Sequence, residues 1–341
     1  MFSLNLVYNV RHQNTLHALR LTFHASPQEI FTLDLIKAFI LGLVQGATEF
    51  VPVSSSGHLV LVPWLLEWPA PGLLFDTVVH WGTLVALLAV FWRDWWQLAK
   101  AWFANLQYGV RTCLSSVENV EEPRQRGNGS TSGPSAFSRS VILALSAFSA
   151  VHSADARLAW WIIVGTVPAA LIGWLFEEWF ERLFATPVAA ASFLLLTAAF
   201  LAASERWGRR QKTTHQMNLA DALLIGLAQA AAIAPGISRS GATMSMGLAR
   251  GLWRDDAARY AFLLATPIIF GAGLLQLLDL FGATGAHEQL PALIVGFLAA
   301  AASGYACIRF LLRYLRRGRL YPFAIYCAAA GLAALLIAAV R

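Results

Sequence analysis

Charge is what this sequence has least of. Only 13% of its 341 residues are Asp, Glu, Lys or Arg, about half the share of a soluble domain. That scarcity excludes an ordinary water-soluble enzyme or binding module. Cysteine is scarce as well. Cys113, Cys307 and Cys327 are scattered and odd in number, which excludes a disulfide framework and a cysteine metal site. The first 34 residues lack an uninterrupted apolar core and a small-residue cleavage site, and Arg11, His12, His17, Arg20 and His24 run through them. They are a poor secretory signal and read as an N-terminal extension: a surface helix, a tail or a misassigned start.

What is abundant is apolar sequence, 57% of the chain, in runs near the roughly 20 residues that a membrane crossing needs. The expected fold is an all-α polytopic membrane protein with spans near 75–93, 157–176, 187–204, 258–280, 289–312 and 321–340. Two further apolar stretches, 35–66 and 219–250, are broken by "EFVPVSSSG" and "APGISRSG". Irregular backbone at membrane depth is tolerated only inside protein or beside a wet cavity, so both read as re-entrant helical hairpins. The stretch 105–155 is polar and rich in Gly and Ser and reads as a long loop; "ILALSAFSA" within it is too short to span. The loops at 93–157, 204–218, 249–259 and 309–320 hold nineteen of the 25 basic residues. By the positive-inside rule that side is cytoplasmic. The net charge of +6 belongs to those loops, with "ERWGRRQK" (205–212) and "RYLRRGR" (313–319) strongest, and no nucleic-acid partner is expected. Trp92, Trp95, Trp96 and Trp102 suit an interfacial belt.

Residues 42–57, "GLVQGATEFVPVSSSG", align without gaps on 226–241, "GLAQAAAIAPGISRSG", with seven of sixteen positions identical. Three spans separate the hairpins, so the second enters from the opposite face. The chain thus divides into inverted-topology repeats, 35–204 and 205–341, each a hairpin and three spans, with sites expected where the broken helices meet. The differences between the repeats then matter. Glu49 aligns with Ile233, Ser55 with Arg239 and His58 with Ala242. One hairpin brings acid and imidazole, the other guanidinium.

These groups suit an anion. Restarting helices after "SSS" and "SRS" present N–H groups and a favourable dipole. Gly57 and Gly241 allow close approach, and Arg239 offers a fork matched to phosphate. Ser54, Ser56, Ser238, Ser240 and Thr243 are hydroxyl donors, unless they only cap helices. Glu49 could ligate a divalent cation, act as a base, or simply pair with Arg239. His58 could move protons or attack as a nucleophile, and Ser54, Ser55 or Ser56 could attack. Asp76 and His80 stand near the start of a span and fit either the site's surroundings or the interface. Gly42 and Gly46 form a GxxxG pair that fits dimerisation or, more naturally, packing within the hairpin. A phosphate on a lipid fits this chemistry, and both hydrolysis and transport remain open.

At these residues the chain resembles the undecaprenyl-diphosphate phosphatase, or bacitracin-resistance, family. "LGLVQGATEFVPVSSSGHL" (41–59) and "PGISRSGAT" (235–243) are similar to its two signatures, and "FDTVVHWGTLVA" (75–86) and "FLLATPIIFGAG" (262–273) to further stretches. The resemblance covers about 35–340, apart from the long loop. It implies six spans with two re-entrant hairpins and a hydrolase of the bacterial plasma (inner) membrane. That enzyme converts undecaprenyl diphosphate to undecaprenyl phosphate, the recycled carrier lipid of cell-wall synthesis. It also implies a divalent cation, Mg2+ or Ca2+, and a site opening to the periplasm. Carried over by position, Gln45 and Glu49 match the acidic-motif pair and would hold the cation. Ser55 matches a serine tied to catalysis, His58 the motif histidine and Arg239 the motif arginine. Gln45 departs from the usual acid and carries no charge, so Glu49 and the substrate would bear most of any cation's binding. A transporter or flippase of an anionic isoprenoid lipid is the alternative.

Overall fold

Pro52 and the Pro235–Gly236 pair decide where the helices stop. A residue before proline is driven out of the α region, and Val51 is accordingly extended (φ −64°, ψ 136°) at the end of helix α1 (Leu35–Phe50). The chain restarts after four residues as α2 (Ser55–Leu65). The second hairpin repeats the arrangement with α6 (Leu219–Ala231) and α7 (Arg239–Ala249), joined through Gly236 at φ +94°. Glycine is needed there, because a Cβ would collide with the Ala190 carbonyl. The four arms hold 16, 11, 13 and 11 residues. At about 1.5 Å per residue none reaches the roughly 30 Å needed to cross a bilayer.

The computed structural model describes residues 34–121, 153–176, 179–180, 186–280 and 286–341. Among them are ten helices and no strand, only an isolated bridge between Lys212 and Leu252. The other helices are α3 (Leu73–Glu121), α4 (Ala154–Leu175), α5 (Pro187–Trp207), α8 (Arg254–Leu280), α9 (Ala286–Leu315) and α10 (Tyr321–Val340). Each is long and apolar enough to cross a membrane. The six expected spans and two broken hairpins are therefore present in an all-α polytopic fold. Side chains such as Ile325 and Leu336, both 68% exposed, face outward as lipid contact requires.

Two boundaries are corrected. Helix α3 continues to Glu121, with a single non-helical residue at Phe91, so 105–121 is helix rather than loop. Beyond the bilayer a helix needs no apolar face, and polar sequence there is no sign of a loop. The expected loop also ends early, since Ser153 caps α4 and Ala154 and Asp155 are helical; residues 122–152 of that loop and 1–33 of the N-terminal extension lie outside the described residues.

The hairpins are interlocked with the spans through repeat-related glycines. Gly42 and Gly46 of α1 press on Gly296, Ala300 and Ser303 of α9, while Gly226 of α6 presses on Gly165 of α4. Any side chain at these points would meet backbone or neighbouring side-chain atoms. The GxxxG pair thus packs a hairpin against α9, not within itself as expected. Each inbound helix lies on the second span that follows the other hairpin.

The two hairpins open toward opposite ends. At one end Asp221, fully buried near the start of α6, binds Arg250 (2.7 Å) after α7 and Lys212 (3.2 Å). Glu205, its side chain 2% exposed, gathers Arg254, Arg210 and the Leu320 N–H at the same end. At the other end Arg341 donates to the Trp64 carbonyl (3.0 Å) in the last turn of α2. The basic connections thus gather around buried carboxylates on one side.

Removing a buried acid that holds two arginines should be costly. Glu205→Ala is expected to lower the unfolding free energy by about 3 kcal/mol, read by chemical denaturation in detergent. A loss below the measurement error would show that this network does not anchor α5, α8 and α10.

Candidate active site

The two breaks touch. A Cβ on Gly57 would lie 3.1 Å from the Gly236 Cα, and Ser240 donates its hydroxyl to the Val51 carbonyl at 3.3 Å. Glu49 is carried to this junction by the last turn of α1, and Arg239 by the first turn of α7. They form an ion pair through Glu49 Oε1, with the Glu49 side chain 3% exposed and Arg239 22%. The Ser55 hydroxyl, at the first position of α2, donates to Glu49 Oε2. Gln45, one turn earlier on α1, donates from Nε2 to the same oxygen at 2.9 Å. His80 of α3 brings its Nε2 to 3.8 Å from Glu49 Oε2.

One carboxylate thus collects a guanidinium, a hydroxyl, an amide and an imidazole from four helices. A charge this deep is tolerated only when paired and hydrogen-bonded. Of the two residues left undecided by the sequence, His80 belongs to this cluster. Its Nδ1 lies 2.7 Å from the Asp76 carbonyl; a carbonyl only accepts, so Nδ1 carries a proton and Nε2 is the nitrogen presented to Glu49. Asp76 stands one turn earlier on α3, and its Oδ1 is buried without a hydrogen-bond partner.

The hydroxyls divide by job. Ser54 caps α2 by accepting from the Gly57 N–H (3.2 Å), and Ser238 caps α7 by accepting from the Gly241 N–H (3.0 Å). The glycine N–H groups expected to meet an anion are therefore held by their own caps. The remaining first-turn N–H groups of each helix have no intrahelical acceptor. Ser56 pairs with Ser54 at 3.3 Å and Ser240 with Ser238 at 3.1 Å, so the aligned serines behave alike in both hairpins. Thr243, 1% exposed, is turned back onto the Arg239 carbonyl of its own helix (2.7 Å). His58 is not brought to Glu49. Its Nδ1 is 2.7 Å from the Ser54 carbonyl and its Nε2 2.7 Å from the Tyr326 hydroxyl. Ser54 has φ 70°, a left-handed conformation that is strained for a residue with a side chain.

Three contributors escape sequence reasoning. Thr197 of α5 grips the second break, donating to the Gly236 carbonyl (2.9 Å) and accepting from the Ser238 N–H (3.0 Å). Tyr326 and Cys327 of α10 reach the first break. Their only sequence signal is polarity inside apolar spans.

No group of three or more His, Cys, Asp or Glu side chains among the described residues could hold a metal by itself. Gln45 Oε1 is nonetheless buried without a partner beside Glu49. A carboxylate and a free amide oxygen fit a hard cation that takes its other ligands from phosphate and water.

The model of the family described as bacitracin resistance protein BacA matches residues 38–120 and 135–333. The chain is 39% identical over 294 residues to a protein of Moorella thermoacetica named undecaprenyl-diphosphatase, covering 86% of this chain and 94% of that one. Proteins of the same name from Thermomicrobium roseum (38% identity, 89% and 98% covered) and Rubrobacter xylanophilus (40%, 89% and 99%) are equally similar in extent. With both signatures seated at the junction of the two breaks, the chain belongs to the BacA bacitracin-resistance family.

Proposed function

We propose that this chain is an undecaprenyl-diphosphate phosphatase, a hydrolase that releases inorganic phosphate from undecaprenyl diphosphate and leaves undecaprenyl phosphate for cell-wall synthesis. The observation that carries this reading is the Ser55–Glu49–Arg239 contact between two helix breaks. It puts a hydroxyl, a proton acceptor and a phosphate-binding cation at one point. The repeats 35–204 and 205–341 are the two halves that build it, and residues 1–34 are an extension.

The diphosphate lies between the tips. Arg239, 22% exposed on its side chain, turns from Glu49 to the phosphate oxygens, and Ser56, Ser238 and Ser240 with the open first-turn N–H groups surround them. Charge stabilisation of this kind is the main catalytic contribution in phosphoryl transfer. Glu49 already accepts from the Ser55 hydroxyl. It takes that proton as Ser55 attacks the terminal phosphorus, or Ser55 and Glu49 together orient the water that attacks. In either route the bridging P–O bond breaks and undecaprenyl phosphate leaves; if Ser55 attacks, a water deprotonated by the site then displaces the serine from phosphorus, releasing inorganic phosphate and restoring the Ser55 hydroxyl. Ser55, having its base in place, is a better placed nucleophile than His58. His58, with Nε2 as its acceptor, can take a proton from the attacking water once its Nε2 leaves Tyr326. Glu49 and Gln45 Oε1 would hold a divalent cation, Mg2+ or Ca2+, which neutralises phosphate charge when bound.

The basic end is assigned to the cytoplasm of a bacterial plasma (inner) membrane, so the first hairpin opens to the periplasm and admits substrate there. The interlocked, inverted hairpins also suit a transporter or flippase of an anionic isoprenoid lipid. That reading predicts lipid movement without bond cleavage.

Arg239→Ala and Glu49→Ala should each reduce phosphate release from undecaprenyl diphosphate by about 100-fold or more, measured on protein purified in detergent. Near wild-type rates in either variant would rule this mechanism out. Chelation of divalent ions should abolish release and added Mg2+ or Ca2+ restore it; full activity in chelator would remove the cation from the account.

A further inference from the structure

The last span, α10, reaches the first break twice. The Tyr326 hydroxyl lies 2.7 Å from His58 Nε2, with the two rings nearly parallel at 9°. The next residue, Cys327, fully buried, donates from Sγ to the Pro52 carbonyl at 3.6 Å. The backbone held by these contacts is the one that needs holding. Ser54 sits at φ 70°, and such a conformation persists only when its surroundings over-determine it. Its carbonyl accepts from both the N–H (3.2 Å) and the Nδ1 of His58. The second break is gripped in a parallel way from α5, where Thr197 binds both Gly236 and Ser238. Each tip is thus fixed by the third span that follows the other hairpin.

The chemistry of the partners sets the histidine. The Ser54 carbonyl can only accept, so Nδ1 carries the proton. In the neutral ring Nε2 is then the acceptor, and the Tyr326 hydroxyl must donate to it. His58 is only 8% exposed, whereas Tyr326 is 47% exposed on the outer face of α10. A tyrosine in a span so apolar has its polar end accounted for by this one bond.

We propose that Tyr326 is a positioning residue: it locks His58 as the Nδ1–H tautomer, with the Nε2 lone pair directed outward, and through it holds the Ser54–Ser55 turn in register with Glu49. The catalytic consequence rests on the hydrolase reading above; the tautomer does not. Removing the hydroxyl leaves the packing of the ring in place but frees His58 to rotate. Ser55 then loses its fixed approach to Glu49, which should slow the chemical step more than substrate binding.

The test has two independent arms on the full-length protein in detergent. In the first, Tyr326→Phe is compared with wild type for phosphate release from undecaprenyl diphosphate. The kcat is expected to fall about 10- to 100-fold with KM changed less than twofold, while Tyr321→Phe, at the first position of the same helix, keeps wild-type kinetics. In the second arm the His58 ring nitrogens are observed by 15N NMR, the signal being identified by its loss in His58→Gln. Wild type should show the Nδ1–H tautomer with a hydrogen-bonded Nε2, and Tyr326→Phe should move Nε2 toward its unbonded position. An Nε2–H tautomer in wild type, an Nε2 signal unmoved in Tyr326→Phe, or an unchanged kcat in that variant each overturns the proposal. A wild-type protein that releases no phosphate but shows the expected NMR change would refute the hydrolase reading and leave the Tyr326–His58 lock standing.

Discussion

Everything at the centre of this molecule follows from one carboxylate buried opposite one guanidinium. Glu49 and Arg239 are 190 residues apart in sequence and meet with almost no solvent around the acid. Neither charge is affordable alone at that depth. Their pairing requires two helices to stop halfway, two tips to touch, and the hairpins to come from opposite sides. Pro52, Pro235 and Gly236 supply the stops. Gly57 and Gly236 supply the closeness. On the proposed mechanism a phosphate that takes Arg239 from Glu49 would leave that carboxylate free to accept the Ser55 proton, so ground-state pairing and the proposed catalysis draw on the same two groups.

The tips are held in place by both halves of the fold. Glycines at equivalent repeat positions press α1 on α9 and α6 on α4. Third spans grip the breaks, Thr197 on one and Tyr326 with Cys327 on the other. Helices inside a bilayer gain little from burying apolar surface against each other, since lipid is equally apolar. Close backbone approach and a few hydrogen bonds therefore carry the specificity, and here they fall around the Glu49–Arg239 junction. The carboxylates at the basic end, Glu205 and Asp221, do the corresponding work there.

Much of this was legible before any coordinates. Lipid allows few sequences to cross it, so the six spans stand out by composition. The breaks stand out because proline and glycine interrupt runs that would otherwise be helical. The repeat and the odd number of intervening spans imply that the tips face each other. What the sequence conceals depends on long-range geometry. Tyr326 bonds to a residue 268 positions away and Thr197 to one 39 away; each looks like an isolated polar residue in an apolar helix. The duty of the cap serines is also hidden, since Ser54 and Ser238 accept from the Gly57 and Gly241 N–H groups, which takes those two amides and leaves the serine O–H as the donor. Residues 105–121 look like a loop in sequence and are helix in the structure, since polarity marks departure from the bilayer, not departure from helix.

The central claim is that Glu49 and Arg239 act as one catalytic unit, and a double-mutant cycle tests it most directly. Glu49→Gln removes the charge and Arg239→Lys the guanidinium fork with little loss of bulk, and both, singly and together, leave residual rates to measure. The account predicts strong non-additivity in kcat/KM for undecaprenyl diphosphate, the double variant being little slower than the worse single one. Losses that simply multiply would mean that the two groups work independently, and the shared site between the tips would have to be abandoned.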